Sequence, residues 1–283
     1  MIKQLINHHI HSTGSDGSED PEEIIILAIK NGFNYICFAD HYFRPNNDPW
    51  GKDYFSQEHI NKIKNLQEKY KDKIEIGFGV EIDWMEGFSD WARKELENNS
   101  FDFILGSVHL VKNNEGKFFA VNAGEEVLKK EIGKLGEENY IKRYFKQIRS
   151  LAKSNLVDCI AHIDLIKAYN KDKILFDGDC ELYRLEVLQT LDTIKENNMC
   201  MEINTSGLLY PCKEVFPSKW ILEEAKKRDI PLTIGTDHHG MAHGAKIYPS
   251  LDLGLDEIVK LLKEIGYKHI VKFKNRKRIS VLL

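Results

Sequence analysis

Seven short apolar runs, each followed by a segment with helical spacing, constrain the fold of this chain more than any other feature of its sequence. The runs are rich in Ile, Val, Phe and Tyr, which is typical of parallel strands buried on both faces. They fall at residues 4–8, 35–39, 74–82, 103–108, 157–161, 200–204 and 231–235. Strands that alternate with helices predict an α/β protein with a parallel sheet.

The segments between these runs show the apolar spacing of helices that cover a sheet. Examples of these predicted helices are residues 21–31, 57–70, 137–154, 182–197 and 218–228. Pro21 after Asp20, and Ser218 after Pro217, are residues that favour the start of a helix. Seven alternations in 283 residues predict a closed or nearly closed (β/α) barrel rather than an open sheet.

The domain organisation predicted from the sequence is simple. No Ser/Gly-rich linker, internal repeat or low-complexity tract divides the chain, so we predict one domain over residues 1–283. The stretch 112–136 is rich in Lys, Glu and Gly, and we expect an insertion or a long loop there. The final segment KFKNRKRISVLL has a basic cluster before an apolar end, and we expect it to close the fold rather than to bind nucleic acid.

Charge and composition argue against several kinds of partner. The formal net charge of -4 gives no basic field that would attract a nucleic acid. No apolar run approaches the roughly 18 residues of a membrane span, and the opening residues lack the apolar core of a secretory signal. The five cysteines form no CxxC pair and are expected to be reduced thiols. These features predict a cytoplasmic protein with a small-molecule substrate, no nucleic-acid or membrane partner, and an oligomeric state that the sequence leaves open.

Ionisable side chains follow almost all of the predicted strands. In a (β/α) barrel the C-terminal ends of the strands converge on one face, so residues far apart in sequence meet there. A lone histidine at a strand end is more often a core or capping residue than a ligand, whereas so many together predict a metal site. The candidates are His9, His11, Asp16, Asp40, His41, Glu81, Asp83, His109, His162, Asp237, His238 and His239.

The spacing of His9 and His11 has a direct physical reason. Alternate residues of a strand point to one face, so both imidazoles can bind one ion while Ile10 faces the opposite side. Imidazole combined with carboxylate suits Zn, Fe or Mn and fits Ca poorly. Glu81 has two carboxylate oxygens and can bridge two cations, which predicts a cluster that activates water.

Other reaction chemistries have weaker support in the sequence. Ser107 and Ser206 do not lie in a GxSxG nucleophile elbow, and Cys37 lies inside an apolar run typical of the core. Gly77-Phe78-Gly79 lacks the lysine of a phosphate-binding loop. Two histidines, His59 in a polar helical stretch and His269 near the end of the chain, are expected at the surface.

Seven motifs, taken in order from about residue 7 to residue 240, resemble those of the PHP (polymerase and histidinol phosphatase) superfamily. The motifs are His9-Ile10-His11, Ser12 to Gly17, Asp40-His41, Gly79-Val80-Glu81-Ile82-Asp83, Gly106-Ser107-Val108-His109, Ala161-His162-Ile163-Asp164 and Asp237-His238-His239. The stretch Glu202-Ile203-Asn204-Thr205-Ser206-Gly207 is similar to the histidinol-phosphate phosphatase branch. The resemblance implies a distorted (β/α)7 TIM-like barrel.

The resemblance also implies two or three divalent transition metals per chain, Zn, Fe or Mn. The first would be held by His9, His11, Glu81 and Asp237, the second by Glu81, His109 and His162, and the third by Asp16, His41 and His239. It implies hydrolysis of L-histidinol phosphate in histidine biosynthesis, by hydroxide that the metals activate. Glu81, Asp237 and His239 are the catalytic candidates.

The substrate contacts are predicted on weaker grounds. Basic residues near the strand ends, Arg44, Lys167, His243 and Lys246, are candidates for contact with the phosphate ester. Members of the family commonly have Arg after Ser-Gly-Leu, and this chain has Leu209. The alternatives are therefore another small phosphate ester as substrate and, less favoured, an amidohydrolase-like metal hydrolase. A polymerase-associated module ranks lowest, because no basic groove accompanies the motifs.

Overall fold

The computed structural model describes residues 4–42, 56–85, 87, 89–97, 100–240 and 250–283. Its strands are β1 Leu5–Ile10, β2 Phe33–Phe38, β3 Glu75–Asp83, β4 Phe103–Ser107, β5 Leu110–Lys112, β6 Phe118–Ala120, β7 Cys159–Ile160, β8 Cys200–Asn204, β9 Leu232–Gly235, β10 His269–Lys274 and β11 Lys277–Leu282. Its helices are α1 Pro21–Lys30, α2 Gln57–Tyr70, α3 Ser89–Glu97, α4 Glu125–Leu135, α5 Glu137–Lys153, α6 Glu181–Glu196, α7 Lys219–Lys227 and α8 Leu255–Ile265.

Seven strands form one sheet in the order β1-β2-β3-β4-β7-β8-β9, and every pair in it is parallel. The two edges of the sheet meet beyond β9. There the Ile10 and His238 backbones form a parallel bridge, and the His11 N–H donates to the His238 carbonyl oxygen at 2.8 Å. The sheet is therefore a nearly closed barrel with helices between its strands, and the predicted distorted (β/α)7 fold is confirmed.

The pairing of β1 with β2 is irregular next to the histidine pair. Asn7 pairs with Ile36 and Ile10 pairs with Phe38, so β1 has one more residue than β2 in this stretch. An extra residue of this kind re-aims side chains and is common beside active sites. His9 and His11 point toward one centre, while Ile10 is fully buried in the apolar core.

Helix α1 illustrates why the predicted helices form where they do. The Asp20 side chain accepts the Glu22 backbone N–H, and the Glu23 side chain accepts the Asp20 N–H in return, which makes a capping box. Pro21 occupies the first turn, where no N–H is required. The inward face, which includes Ile24, Ile25 and Ala28, is completely buried in the core. Truncating such an isoleucine to Ala costs about 2–5 kcal/mol.

Several elements differ from the sequence prediction. Strand β7 has two residues rather than the five of 157–161, because it pairs with β4 and β8 only at Cys159 and Ile160. The stretch 112–136, expected to be an insertion or a long loop, contains β6 and α4. Strand β6 pairs with β5 in a small antiparallel hairpin.

The C-terminal hairpin of β10 and β11 covers the N-terminal end of the barrel. Tyr35 donates its hydroxyl to the Phe273 carbonyl oxygen at 3.0 Å, and the Phe273 ring packs 4.7 Å from that of Phe103. Arg276, from the basic cluster, donates its backbone N–H to Asp102 and pairs with Asp158, two residues that directly precede β4 and β7. The hairpin thus closes the end of the barrel opposite the strand C-termini.

None of the helices in the described part of the chain has both the length and the apolar character that a membrane span needs.

Candidate metal centre

Nine imidazole and carboxylate side chains meet at the C-terminal mouth of the barrel. They come from the ends of strands and from the segments that directly follow them, so the parallel sheet brings together residues far apart in sequence. Three groups of donor atoms result, each with atoms within 4.8 Å of one another. The groups are His9, His11 and Asp237; Glu81, His109 and His162; and His11, Asp16, His41 and His239.

The first group lies where β1 meets the end of β9. The Nε2 atoms of His9 and His11 are 3.0 Å apart, and each lies 3.3 Å from Oδ1 of Asp237. One oxygen of Glu81 also approaches both nitrogens, at 3.3 and 3.4 Å. Asp237 adopts a positive φ of 55°, a conformation that Asp tolerates better than most residues. Four donor atoms therefore face one small buried volume.

Glu202, on β8, fixes the proton on His9. Its Oε1 accepts the His9 Nδ1–H at 2.7 Å, which leaves the Nε2 lone pair of His9 directed into the first group. Its Oε2 accepts the His162 N–H at 3.1 Å and the Asn204 amide at 3.2 Å. A carboxylate that orients a ligand histidine in this way is a regular partner in metal sites.

Gly235 makes room for this contact. A Cβ at Gly235 would lie 2.2 Å from Oε1 of Glu202 and 2.4 Å from Cβ of His9. Only glycine on β9 therefore allows the carboxylate and the imidazole to approach each other here.

The second group is built around the other oxygen of Glu81. Its Oε1 lies 3.2 Å from Nε2 of His162 and 3.8 Å from Nε2 of His109. The Nδ1 atom of His109 makes a short contact with Oδ1 of Asp83, which directs Nε2 toward Glu81. Glu81 is 1% exposed, and its two oxygens face different groups of imidazoles, the arrangement expected of a bridging ligand.

The third group surrounds Asp16, on the loop after β1. Asp16 Oδ1 lies 3.4 Å from both Nδ1 of His11 and Nε2 of His239, and Oδ2 lies 3.7 Å from Nε2 of His41. The His239 Nδ1 atom is 2.8 Å from the Asp237 carbonyl oxygen, so Nε2 is available as a ligand. His11 contributes to this group and to the first, one nitrogen to each.

The electrostatics of the mouth favour positive charge. Burial by itself lowers the pKa of His9, but the carboxylates of Glu202, Asp237 and Glu81 raise it well above its usual value. Burial alone would raise the pKa of Glu81, but the imidazoles around it hold that pKa well below the usual range. Burial lowers the pKa of His41 to about 4, which keeps this imidazole neutral and able to donate a lone pair. Ionised carboxylates beside imidazoles in a buried mouth attract positive charge, which protons on the imidazoles or bound metal ions can supply.

The donor set fits divalent transition metals. The donors are imidazole nitrogens and carboxylate oxygens, the ligand chemistry of Zn, Fe and Mn, and no thiolate belongs to any of the three groups. The facing Nε2 atoms of His9 and His11 are 3.0 Å apart, a placement explained by two lone pairs directed at one ion. The groups share His11, and Glu81 faces more than one of them, as in clusters of neighbouring ions.

The structure places the other predicted site residues differently. The Lys167 ammonium lies 2.9 Å from Glu214 and 3.0 Å from Asp164, and it also donates to the Val215 carbonyl oxygen at 2.9 Å. It lines a cavity of about 1250 Å³ to which none of the nine donors contributes. Arg44, His243 and Lys246 lie outside the described residues.

Sequence reasoning misplaced one residue and missed the role of others. The expectation that His59 lies at the surface is wrong: the side chain is 8% exposed and its Nε2 lies 3.1 Å from Oδ2 of Asp40. Glu202 was not predicted as part of the site, and Asp83 and Asp40 were candidates without an assigned role, although each of the three contacts a metal donor or its loop. A signal was present for Glu202, because a carboxylate inside an apolar strand needs a buried partner.

The barrel and its clustered donors define a metal-binding (β/α)7 protein. Residues 7–206 match the model of the PHP domain, which is more than half of the chain. The chain belongs to the PHP domain family.

Two relatives match this chain over most of their own length. The histidinol-phosphatase of Lactococcus lactis is 27% identical over 97% of this chain and 98% of its own, and that of Bacillus subtilis is 29% identical over 82% and 92%. The solved histidinol phosphate phosphatase of Lactococcus lactis, in complex with zinc, L-histidinol and phosphate, superposes with a TM-score of 0.75. That structure is 23% identical and covers 98% of this chain and 99% of its own, and it supports the fold.

Proposed function

We propose that this protein is a metal-dependent phosphomonoesterase that hydrolyses L-histidinol phosphate to L-histidinol and phosphate. The observation that carries the reaction class is the convergence of the three donor groups around Glu81 at the barrel mouth. The relatives named histidinol-phosphatase, at 27 and 29% identity over most of both chains, support the choice of substrate. We place the reaction in histidine biosynthesis, and a cytoplasmic location remains a prediction.

We propose that the nine donors hold two or three ions of Zn, Fe or Mn. Glu81 with His9, His11 and Asp237 would hold the first, Glu81 with His109 and His162 the second, and Asp16 with His41 and His239 the third. When bound, such ions offset the negative charge of phosphate oxygens and acidify a water molecule to a pKa near 7. Hydrolysis joins the water oxygen to phosphorus and breaks the bond from phosphorus to the ester oxygen, which leaves as the alcohol oxygen of histidinol with one proton from the water.

The chain's own residues prepare this reaction. Glu81 is the proposed bridging carboxylate, because its two oxygens face different imidazole groups. Asp237 lies equally close to His9 and His11 and keeps both nitrogens directed at one point. His239 stacks on the His11 ring at 4.1 Å between centroids, where it borders the mouth beside Asp16. These three residues are the proposed catalytic set.

Contacts to the phosphate ester are a separate part of the proposal. Arg44, His243 and Lys246 remain candidates from the sequence, and the structure does not describe them. Lys167 is a weaker candidate, because its ammonium already has two carboxylate partners and a carbonyl oxygen. It would have to leave those partners to reach a substrate.

The test is phosphate release by metal-analysed protein over a panel of esters. The panel contains L-histidinol phosphate, sugar phosphates and nucleoside monophosphates, and the control is the Glu81→Gln variant at equal protein concentration. We expect kcat/KM for L-histidinol phosphate to exceed the others by at least roughly 100-fold, since a site built to pair substrate polar groups discriminates strongly. Equal turnover of all esters would reject the assigned substrate, and metal-loaded protein without phosphatase activity would reject the reaction class.

A further inference from the structure

Asp40 is a buried carboxylate that belongs to none of the three donor groups. It lies two residues after the end of β2 and is completely buried. Its Oδ1 accepts the Ser12 N–H at 2.6 Å and the Ser15 hydroxyl at 2.7 Å, and its Oδ2 accepts the Ser12 hydroxyl at 2.8 Å. All three donors lie on the loop that carries Asp16. Asp40 therefore fixes that loop to the barrel.

The fourth partner of Asp40 comes from the outer layer of the barrel. His59, in the first turn of α2, directs Nε2 to Oδ2 of Asp40 at 3.1 Å. Its backbone N–H donates to the Ser56 hydroxyl at 3.1 Å, so the helix cap positions this histidine.

The His59 ring also packs directly on the loop backbone. A Cβ added to Gly14 would lie 2.1 Å from Cε1 and 2.2 Å from Nε2 of His59. A glycine at this position is thus required by the close approach of the imidazole. His59 therefore holds the loop in two ways: indirectly, by its hydrogen bond to Asp40, and directly, by packing of its ring against the backbone of Gly14.

The loop after β1, which Asp40 and His59 hold in place, also carries Asp16 of the third donor group. Ser15 Oγ, which is held by Asp40, lies 3.3 Å from Oδ1 of Asp16 and 3.3 Å from Nδ1 of His11. The Asp16 side chain is 27% exposed, the most exposed of the ligand carboxylates, so barrel packing alone does not fix it. Its placement depends on the loop and therefore on the groups that fix the loop.

We propose that His59 is a positioning residue that, through Asp40 and Gly14, holds Asp16 in place to bind the third metal ion. The inference rests on the metal-binding part of the proposed function and does not depend on the substrate. Outer partners of this kind typically change metal affinity roughly 10- to 100-fold when removed. We expect the effect to be confined to the group of Asp16, His41 and His239.

The first experiment measures metal binding by His59→Ala, His59→Gln and the unaltered protein. Each is titrated with Zn²⁺ against a chromophoric chelator and with Co²⁺ by absorption. His59→Ala should bind the ion of the Asp16, His41 and His239 group roughly 10- to 100-fold less tightly, while the other ions keep their affinity. Gln can present an amide N–H close to the position of Nε2, so His59→Gln should recover a large part of the loss. His269→Ala removes an exposed histidine and is the matched control.

The second experiment uses the contact between Gly14 and His59. Gly14→Ala should weaken the same ion, because its new methyl group overlaps the imidazole. In the His59→Ala background the overlap disappears, so the double variant should bind metal no worse than His59→Ala alone. This comparison remains informative even where Gly14→Ala alone unfolds, because it needs only His59→Ala and the double variant.

Two results would overturn the inference. One is unchanged affinity for every ion in His59→Ala. The other is equal weakening of all ions together with a lowered melting temperature, which indicates general destabilisation. Neither readout uses a substrate. If the protein does not hydrolyse L-histidinol phosphate, the proposed reaction is rejected, while the role of His59 is still tested by metal binding.

Discussion

Replacing Glu202 with Gln tests whether metal binding at the first group depends on which ring nitrogen of His9 carries the proton. The Glu202 carboxylate accepts from His9 Nδ1 through one oxygen, and from His162 N–H and the Asn204 amide through the other. A Gln side chain has one oxygen and one NH₂ group. If the Gln oxygen accepts from His9 Nδ1, the Gln NH₂ group faces the His162 N–H and the Asn204 amide, which are also donors. If the Gln side chain is flipped, its NH₂ group faces the His9 Nδ1–H instead.

The His9 imidazole has one way to relieve this conflict. It can move its proton to Nε2 and accept the Gln amide at Nδ1, but Nε2 then carries a hydrogen toward the position of the ion. The lone pair that His9 offers beside His11 and Asp237 is lost in that tautomer. We therefore expect Glu202→Gln to weaken metal binding roughly 10- to 100-fold. This corresponds to about 1.4 to 2.8 kcal/mol.

The assay is a competition titration with Zn²⁺, with kcat/KM for L-histidinol phosphate measured in parallel at saturating metal. Glu186→Gln is the matched control, because Glu186 is a buried glutamate that pairs with Arg149 away from the barrel mouth. That variant should lose stability and keep its metal affinity. Glu202→Gln protein with unaltered Zn²⁺ affinity would refute the reasoning about the His9 proton.

Three further predictions follow from the same geometry. Gly235→Ala should cost about 1–3 kcal/mol in unfolding free energy by overpacking against Glu202 and His9, as measured by urea denaturation, and its Zn²⁺ affinity should fall. Removing metal with a chelator should abolish activity and lower the melting temperature, since an ion at 100 times its Kd stabilises a protein by about 2.7 kcal/mol; an unchanged melting temperature would contradict a folded-state metal site. The carboxylates raise the pKa of His9 and His11 above 6.5, so below the raised values a metal ion must displace protons. Zn²⁺ affinity should therefore increase as pH rises through and beyond 6.5, and calorimetry in buffers of different ionisation enthalpy should detect proton release; a flat pH profile would contradict it.

The strands and helices that position the site could be predicted from the sequence, because each is identified by the pattern of its own residues. Strand β8 and helix α2 have the predicted bounds, 200–204 and 57–70, since an apolar run and an amphipathic period identify them without reference to the rest of the chain. The nine donors were among the twelve candidates predicted from position, because polar residues after apolar strands converge in any parallel barrel, and the choice of nine came from the resemblance to the PHP superfamily.

The remaining features depend on contacts between distant residues. His59 has the sequence surroundings of a solvent-facing helix residue, and its burial is decided by Asp40 and Gly14. Helix α4 lies in a Lys- and Glu-rich stretch whose buried residues, Leu128, Ile132 and Leu135, are outnumbered by charged neighbours. The length of β7 is set by β4 and β8 rather than by its own apolar residues.

The hairpin of β10 and β11 limits how the substrate and the products can enter and leave the barrel. Its Phe273 ring packs on Phe103 of β4 beside Tyr35 of β2 and closes the N-terminal end of the barrel, and all three side chains are completely or almost completely buried. Reactant and both products must then travel through the same opening, on the side of the metal donors. An anion that lingers there blocks the next turnover, so inorganic phosphate should compete with the ester and slow the enzyme as it accumulates.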